Sequence, residues 1–338
     1  MEAPDFSSRI KKLKTLLDVK GLDACLVNSR NDVYYYTGKN IGDSCSLLIS
    51  EARPCMFVTS LSNEIEPTKE FDAIFIKGVS DISRRLKRFR RVGFDEYTTN
   101  YKVFSELKKS KPTLKPAAAI IKEPRMVKDE YEMGQIRKAA DIARKAMSSL
   151  GEISGRNEAE VSEEIESSFR KCGAKPSFDS IVASGKNSAF IHHKPDITQI
   201  RRSDLVIIDM GAVFNGYCSD MTRTFCKKPG PRERKIMENI SEIQSELIHM
   251  AVEGAKYDDI QKHYESLLKR KGYKLMHSFG HGIGIGVHER PSKGDVLKAG
   301  MVITVEPGAY IKGFGGCRIE DMVLVRKGKP KILTRIRA

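Results

Sequence analysis

Apolar positions in residues 8–123 alternate between the two spacings that secondary structure imposes. Ile10, Leu13, Leu16 and Leu17 recur at helical intervals, and Ala24-Cys25-Leu26-Val27 is a short apolar run of the kind a buried strand presents. Residues 46–50, 55–59 and 73–76 repeat that strand signal between turn-forming or charged residues. Helical spacing returns at Ile82, Leu86 and Phe89, and Val92-Gly93-Phe94 then reads as another strand. Residues 108–123, with Pro112, Pro116 and many lysines, read as a strand-bearing connector. This predicts a small α/β domain over residues 1–123 and a second domain over 124–338.

The second domain carries one order of elements twice: helix, helix, histidine-bearing strand, hairpin. In the first block Met133, Ile136, Ala140, Ala143, Met147 and Leu150 mark one amphipathic helix, and Val161, Ile165, Phe169 and Cys172 mark the next. Asn157 with Glu160 three residues on is a capping-box pattern for that second helix, and Gly173 closes it. His192 and a hairpin over about residues 205–225 follow. In the second block Pro231 opens a helix through Ile236, Ile240, Ile243, Leu247 and Met250, and Ile260, Tyr264 and Leu267 or Leu268 mark its partner. His281, His288 and a hairpin over about residues 301–325 then repeat the order. Such duplication predicts an α+β domain with pseudo-twofold symmetry. Helices would cover one face of a curved antiparallel sheet and leave the other face free for a cleft.

Composition narrows the class. With 338 residues, 40% hydrophobic and 30% charged, the chain can bury the cores of two domains, which excludes wholesale disorder. No run nears the roughly 18 apolar residues of a membrane span, because the best candidate, residues 205–214, is short and holds Asp209. Met1-Glu2-Ala3-Pro4-Asp5 leads into basic residues without an apolar core, so no secretory signal and a cytoplasmic location are expected. Seven scattered cysteines without a Cys-x-x-Cys pair suit reduced thiols rather than disulfides or structural zinc. The net charge of +15 raises the question of nucleic acid. The basic excess is spread, however, at +6 over residues 1–123 and +9 beyond, and the sharpest run, residues 84–91, reads as a solvated helix face. Nucleic acid is therefore not an expected partner.

The chemistry lies in four carboxylates. Leu205-Val206-Ile207-Ile208-Asp209-Met210 is apolar except for Asp209, which alternation puts on the face of Leu205 and Ile207. The return strand brings Asp220 back toward it. The second hairpin repeats the device, with Glu306 ending Val302-Ile303-Thr304-Val305 and Glu320 returning in Cys317-Arg318-Ile319-Glu320-Asp321. Carboxylates so gathered repel one another and lose hydration, at several kcal/mol per ion, unless cations lie between them or protons neutralise some. With His281 as a nitrogen donor, the set favours manganese, cobalt or zinc, and two divalent ions would balance four acids.

Ile208-Asp209-Met210-Gly211-Ala212, Ser219-Asp220-Met221-Thr222-Arg223-Thr224, Gly280-His281-Gly282-Ile283-Gly284, Val305-Glu306-Pro307-Gly308 and Arg318-Ile319-Glu320-Asp321 resemble the pita-bread metallopeptidases, family M24, over about residues 128–338. Asn31-Asp32-Val33-Tyr34-Tyr35-Tyr36-Thr37-Gly38 resembles the creatinase-type N-terminal domain of the proline-specific branch, the prolidases and aminopeptidases P. The resemblance implies that Asp209 chelates one metal, that His281 and Glu306 bind the other, and that Asp220 and Glu320 bridge both. It further implies a metal-bridging hydroxide as nucleophile, Glu306 as proton shuttle, and His192 and His288 as contacts to the substrate carbonyl and developing oxyanion. Arg318 would orient acids or substrate. The implied substrates are peptides with proline second, and the implied assembly is a homodimer.

Other residues nearby have plainer readings. His193 reads as surface or packing, His277 as a residue at the cleft wall, and Thr222 as either a strand former or a support for a bridging acid. The stretch after His288 is shorter than in a typical prolidase, and Arg290 within it reads as a solvated charge or a carboxylate anchor. His193 stands where many prolidases carry glycine. Dipeptidase and aminopeptidase thus both remain open. A methionine-aminopeptidase-like hydrolase is the enzymatic alternative, and a binding module for nucleic acid or protein is the alternative of another class.

Overall fold

The structure, a computed structural model, describes residues 3–40, 45–62 and 64–336; Met1 and Glu2, where the reading of the N-terminus begins, lie outside the described residues. The chain forms two compact units, one ending at Arg125 and the other beginning at Met126. The N-terminal unit runs α1 (Phe6–Val19), β1 (Ala24–Val27), α2 (Arg30–Thr37), β2 (Ser46–Ser50), β3 (Cys55–Val58), β4 (Asp72–Phe75), α3 (Val79–Leu86), β5 (Arg91–Phe94), α4 (Tyr101–Lys108), β6 (Thr113–Pro116) and α5 (Ala118–Lys122). Its six strands form one mixed sheet in the order β4-β3-β2-β1-β5-β6. Leu26, Leu48, Phe57, Ile82, Leu86, Val92 and Leu107 pack into one core between this sheet and α3 and α4.

Three helices of this unit, α2, α4 and α5, go beyond the elements the apolar pattern predicts. Helix α2 reads Arg-Asn-Asp-Val-Tyr-Tyr-Tyr-Thr, a sequence of weak helix formers without an apolar stripe. Tertiary contacts hold it instead. The Tyr35 hydroxyl donates to the Pro124 carbonyl at 2.9 Å, and the Tyr36 hydroxyl to the Ile121 carbonyl at 2.6 Å. Asp32 is fully buried and ion-paired with the buried Arg125.

The second unit contains α6 (Glu130–Ser149), α7 (Glu158–Lys171), β7 (Lys175–Pro176), β8 (Ile181–Ser184), β9 (Val206–Met210), β10 (Ala212–Phe214), β11 (Tyr217–Cys218) and β12 (Met221–Phe225). It continues with α8 (Pro231–Met250), α9 (Tyr257–Arg270), β13 (Val302–Val305), β14 (Gly308–Ile311), β15 (Gly315–Arg318), β16 (Asp321–Leu324) and β17 (Lys331–Ile332). Asn157 and Glu160 form the capping box their spacing predicts, and Asp129 with Glu132 forms another at the start of α6. In each block an antiparallel ladder, β9 with β12 or β13 with β16, continues into a second ladder at the hairpin tip, β10 with β11 or β14 with β15.

Alternation along β9 and β13 separates the two sheet faces as predicted. Val206, Ile208 and Met210 pack with Ile142, Val161 and Ile165 of the first helix pair, and Ile303 and Val305 pack with Ile240, Ile243 and Ile260 of the second. Ile207 lies on the other side in a small cluster with Ile181 and Ala183. Backbone and hydroxyl bonds join the blocks. Glu320 N–H donates to the Thr222 carbonyl at 3.0 Å, and the Thr224 hydroxyl donates to the Arg318 carbonyl at 2.8 Å.

The histidine-bearing strands are corrected: His192, His281 and His288 lie in irregular segments, not in strands. The physical reason is local. Thr304 N–H donates to the His281 carbonyl at 2.7 Å and Glu306 N–H to the Phe279 carbonyl at 2.8 Å, so the chain around His281 follows β13 without a regular ladder. A Cβ on Gly280 would stand 2.0 Å from the Thr304 carbonyl oxygen, and one on Gly282 would stand 2.1 Å from that of Arg290. Only glycine on both sides of His281 permits this approach.

Replacing Arg125 with alanine strands the buried Asp32 charge and is expected to cost about 3–5 kcal/mol in urea denaturation. A loss below about 1 kcal/mol would show that the pair matters little to the N-terminal unit.

Candidate metal centre

The hairpins determine where the acids stand. Asp209 is the fourth residue of β9 and lies opposite Thr222 on β12, with Asp220 just before β12 begins. Glu306 directly follows β13, and Glu320 directly precedes β16. Each hairpin thus supplies one acid from its outgoing strand and one from its return. Asp209, Asp220, His281, Glu306, Arg318, Glu320, His192 and His288 all line one cavity of about 480 Å³ within the second unit.

Asp209, Asp220 and Glu320 are buried, and each has one carboxylate oxygen without a hydrogen-bond partner: Asp209 Oδ1, Asp220 Oδ1 and Glu320 Oε1. The other oxygens of Asp209 and Glu320 are held. Arg318 Nη2 donates to Asp209 Oδ2 at 2.7 Å, and the Thr222 hydroxyl donates to Glu320 Oε2 at 2.8 Å. Arg318 is itself fixed by Tyr310, whose hydroxyl lies 2.7 Å from Nη1, so it orients an acid as the sequence suggests.

His281 Nδ1 lies 3.0 Å from the Gly282 carbonyl oxygen, which can only accept, so Nδ1 carries the proton and Nε2 presents its lone pair. That nitrogen faces Glu306 Oε1 at 3.3 Å and Asp220 Oδ2 at 3.8 Å. Asp220, His281 and Glu320 each offer one ligand atom within 4.8 Å of the others.

Electrostatics show what the arrangement lacks. Burial, then repulsion from Glu320, Asp209 and Glu306, pushes Asp220 well above the carboxylate range, and burial with Glu306 and Asp209 does the same to Glu320. Burial raises Glu306 from 4.5 to about 7, against the pull of Arg318. His281 is driven down to about 4, first by burial and then by His288, so its ring is neutral at pH 7. A neutral imidazole beside unpartnered, crowded carboxylate oxygens is the donor set that a hard or borderline divalent cation requires. The residues fit such a group.

The residues around the acids have partners of their own. Arg290 is part-exposed and ion-paired: its Nε lies 3.1 Å from Asp295 Oδ2, and Nη2 also binds that carboxylate. His277 is turned toward the Tyr310 hydroxyl, 2.9 Å from Nε2, and lies 4.0 Å from Glu306. His193 pairs with Glu158 at 2.7 Å. Tyr310 and Thr304 were missed, although Thr304 both accepts from His281 N–H at 3.0 Å and lies 3.3 Å from Glu306 Oε1. Their signal was only the alternation along β13 and β14.

Residues 134–327 match the model of metallopeptidase family M24, and residues 9–127 match the creatinase/prolidase N-terminal domain. The chain belongs to metallopeptidase family M24. This M24 hydrolase is 34% identical over 340 residues to a Pyrococcus furiosus protein named Xaa-Pro dipeptidase, covering 97% of each chain. It superposes on the prolidase from Pyrococcus horikoshii with a TM-score of 0.89 at 33% identity, covering 98% and 99% of the two chains. An X-Pro aminopeptidase from Thermotoga maritima gives 0.86 at 27% identity, covering 97% and 98%. Among the described residues no helix is long and apolar enough to cross a membrane.

The raised acids link stability to pH. Their protonated forms stabilise the folded chain fully below the ordinary carboxylate range, and this contribution is lost as pH rises through about 7, the value for Glu306. Thermal unfolding of the chelator-treated M24 hydrolase should therefore shift down between about pH 5 and 8, and the rise produced by Mn²⁺ should grow over the same interval. A metal increment independent of pH would contradict protonated acids in the site.

Proposed function

We propose that this M24 hydrolase cleaves the bond before proline in small peptides, as an Xaa-Pro dipeptidase or an Xaa-Pro aminopeptidase, with two divalent cations. One observation carries the reading: four acids and an imidazole from both halves of the second unit meet in one cavity, in a chain that belongs to a metallopeptidase family. The proline preference comes from the names of the relatives, Xaa-Pro dipeptidase and prolidase.

Asp209 would hold one ion, His281 and Glu306 the other, and Asp220 and Glu320 both. Manganese or cobalt suits this oxygen-rich set best, and zinc is also compatible. Such a pair of ions supplies Lewis acidity and lowers the pKa of a bound water to roughly 7, making hydroxide available as the nucleophile.

The chain's own groups do the rest. His192 and His288 hold the scissile carbonyl oxygen through ring N–H groups and stabilise the charge that develops on it. Glu306, at the edge of the site, would take the proton of the attacking water and hand it to the departing prolyl nitrogen. That nitrogen carries no hydrogen in the peptide, so it leaves as a neutral amine only once protonated. Arg318 holds one oxygen of Asp209 and leaves the other for the cation. We assign this catalysis to a domain over residues 124–338, and a cytoplasmic homodimer acting on free peptides completes the proposal.

Asp220→Asn and Glu320→Gln should each abolish metal-dependent turnover while circular dichroism stays near that of the parent, and an undiminished rate in either would contradict bridging. An Xaa-Pro dipeptide, an Xaa-Pro-Yaa tripeptide and a Met-Ala peptide separate the specificities. Cleavage of the dipeptide alone identifies a dipeptidase, cleavage of the tripeptide before proline an aminopeptidase. Preference for the Met peptide would overturn the proline reading.

A further inference from the structure

A dipeptide cut before proline carries a free carboxylate close to the scissile bond, and drawing that charge out of water into the cleft is costly unless a cation receives it. The arginine and lysine side chains that line the cavity are Arg318 and Lys194. Arg318 is buried and committed: Nη2 donates to Asp209 at 2.7 Å, Nη1 to Tyr310 at 2.7 Å, and Nε lies 3.3 Å from the Thr222 hydroxyl. Arg290, on the loop after His288, is held by Asp295. Lys194 is different. It is exposed, and among the described residues no carboxylate or hydrogen-bond acceptor holds its ammonium.

Its loop is nevertheless fixed. Glu158, fully buried in the first turn of α7, accepts from Ser184 N–H at 2.6 Å, the Ser184 hydroxyl at 2.8 Å, Asn187 Nδ2 at 3.1 Å and Asp196 N–H at 3.3 Å, and it pairs with His193 Nε2 at 2.7 Å. These donors occupy the carboxylate, so the Glu158, His193 and Asp196 group works as a clamp. The clamp grips the chain at residues 193 and 196. Pro195 restricts the backbone between them. Only the Lys194 side chain has to be ordered on binding, which limits the entropic cost of using it.

We propose that Lys194 receives the C-terminal carboxylate of the substrate and makes the cleft selective for dipeptides over peptides whose proline continues into a further amide. The inference rests on the Xaa-Pro reading above and adds the residue that decides between its two forms. A lysine ammonium is a point charge suited to a carboxylate at a solvent-accessible rim, whereas the amide of a longer peptide gains nothing from it.

The test compares Ala-Pro with Ala-Pro-amide, which differ only in the terminal charge, on the Mn²⁺-loaded protein. The parent should prefer the acid. Lys194→Met should reduce the ratio of kcat/KM for acid over amide by roughly 10- to 100-fold, mainly through KM, the size of one charge-assisted hydrogen bond. Lys194→Arg should restore most of the preference, and Lys194→Glu should favour the amide. Inhibition by free L-proline should weaken in parallel in Lys194→Met, a reading that needs no turnover comparison between substrates. A parent that cleaves acid and amide equally, or a Lys194→Met variant with an unaltered ratio, overturns the role of Lys194 and leaves the Xaa-Pro reading standing. A parent that cleaves neither overturns both.

Discussion

Four carboxylates crowded around one imidazole, three of them buried, with too few cations of their own, are the constraint on which the second unit turns. Arg318 meets Asp209 and Thr222 meets Glu320, yet one oxygen on each of Asp209, Asp220 and Glu320 finds no partner, and Glu306 is pushed to about 7. Buried polar atoms are normally satisfied, so a cluster of exceptions points to a function rather than to stability. The chain tolerates the cluster by leaving protons on acids or by taking up cations, and the neutral ring of His281 fits only the second for catalysis.

The rest of the unit keeps those groups from moving apart. Two hairpins approach from opposite blocks, and helices packed on their outer faces hold the strands in place through Val206, Ile208, Ile303 and Val305. Behind Glu320, Arg223 donates to the Thr222 carbonyl at 2.8 Å, the Glu320 carbonyl at 2.6 Å and Asp321 at 2.7 Å, while the Thr334 hydroxyl donates to Asp321 at 2.8 Å. The acids therefore stay close by covalent and hydrogen-bonded constraint, which is the preorganisation a multi-ligand site needs.

Much of this was legible in the sequence where the signal is local. The helix pairs showed because their apolar stripes are long and Asn157 with Glu160 announces a start. The hairpins showed because a single acid falls within or at the end of an apolar strand in each. Helix α2 was hidden, since its tyrosines are held by Pro124 and Ile121 some 85 to 89 residues away. The segments around the histidines were mistaken for strands because nothing local reveals that glycines at 280 and 282 let the chain lie against β13 irregularly. Tyr310, Thr304 and the Glu158–His193 pair were invisible or bland for the same reason: each matters through a partner from another element.

The most direct measurement is an anomalous difference map from crystals of the manganese-loaded protein, recorded at the manganese edge. Two peaks are predicted within coordination distance of Asp209, Asp220, His281, Glu306 and Glu320, with the oxygens of Asp220 and Glu320 between them. A well-ordered cavity without anomalous density, its acids neutralised by side chains or protons alone, would contradict a cation site.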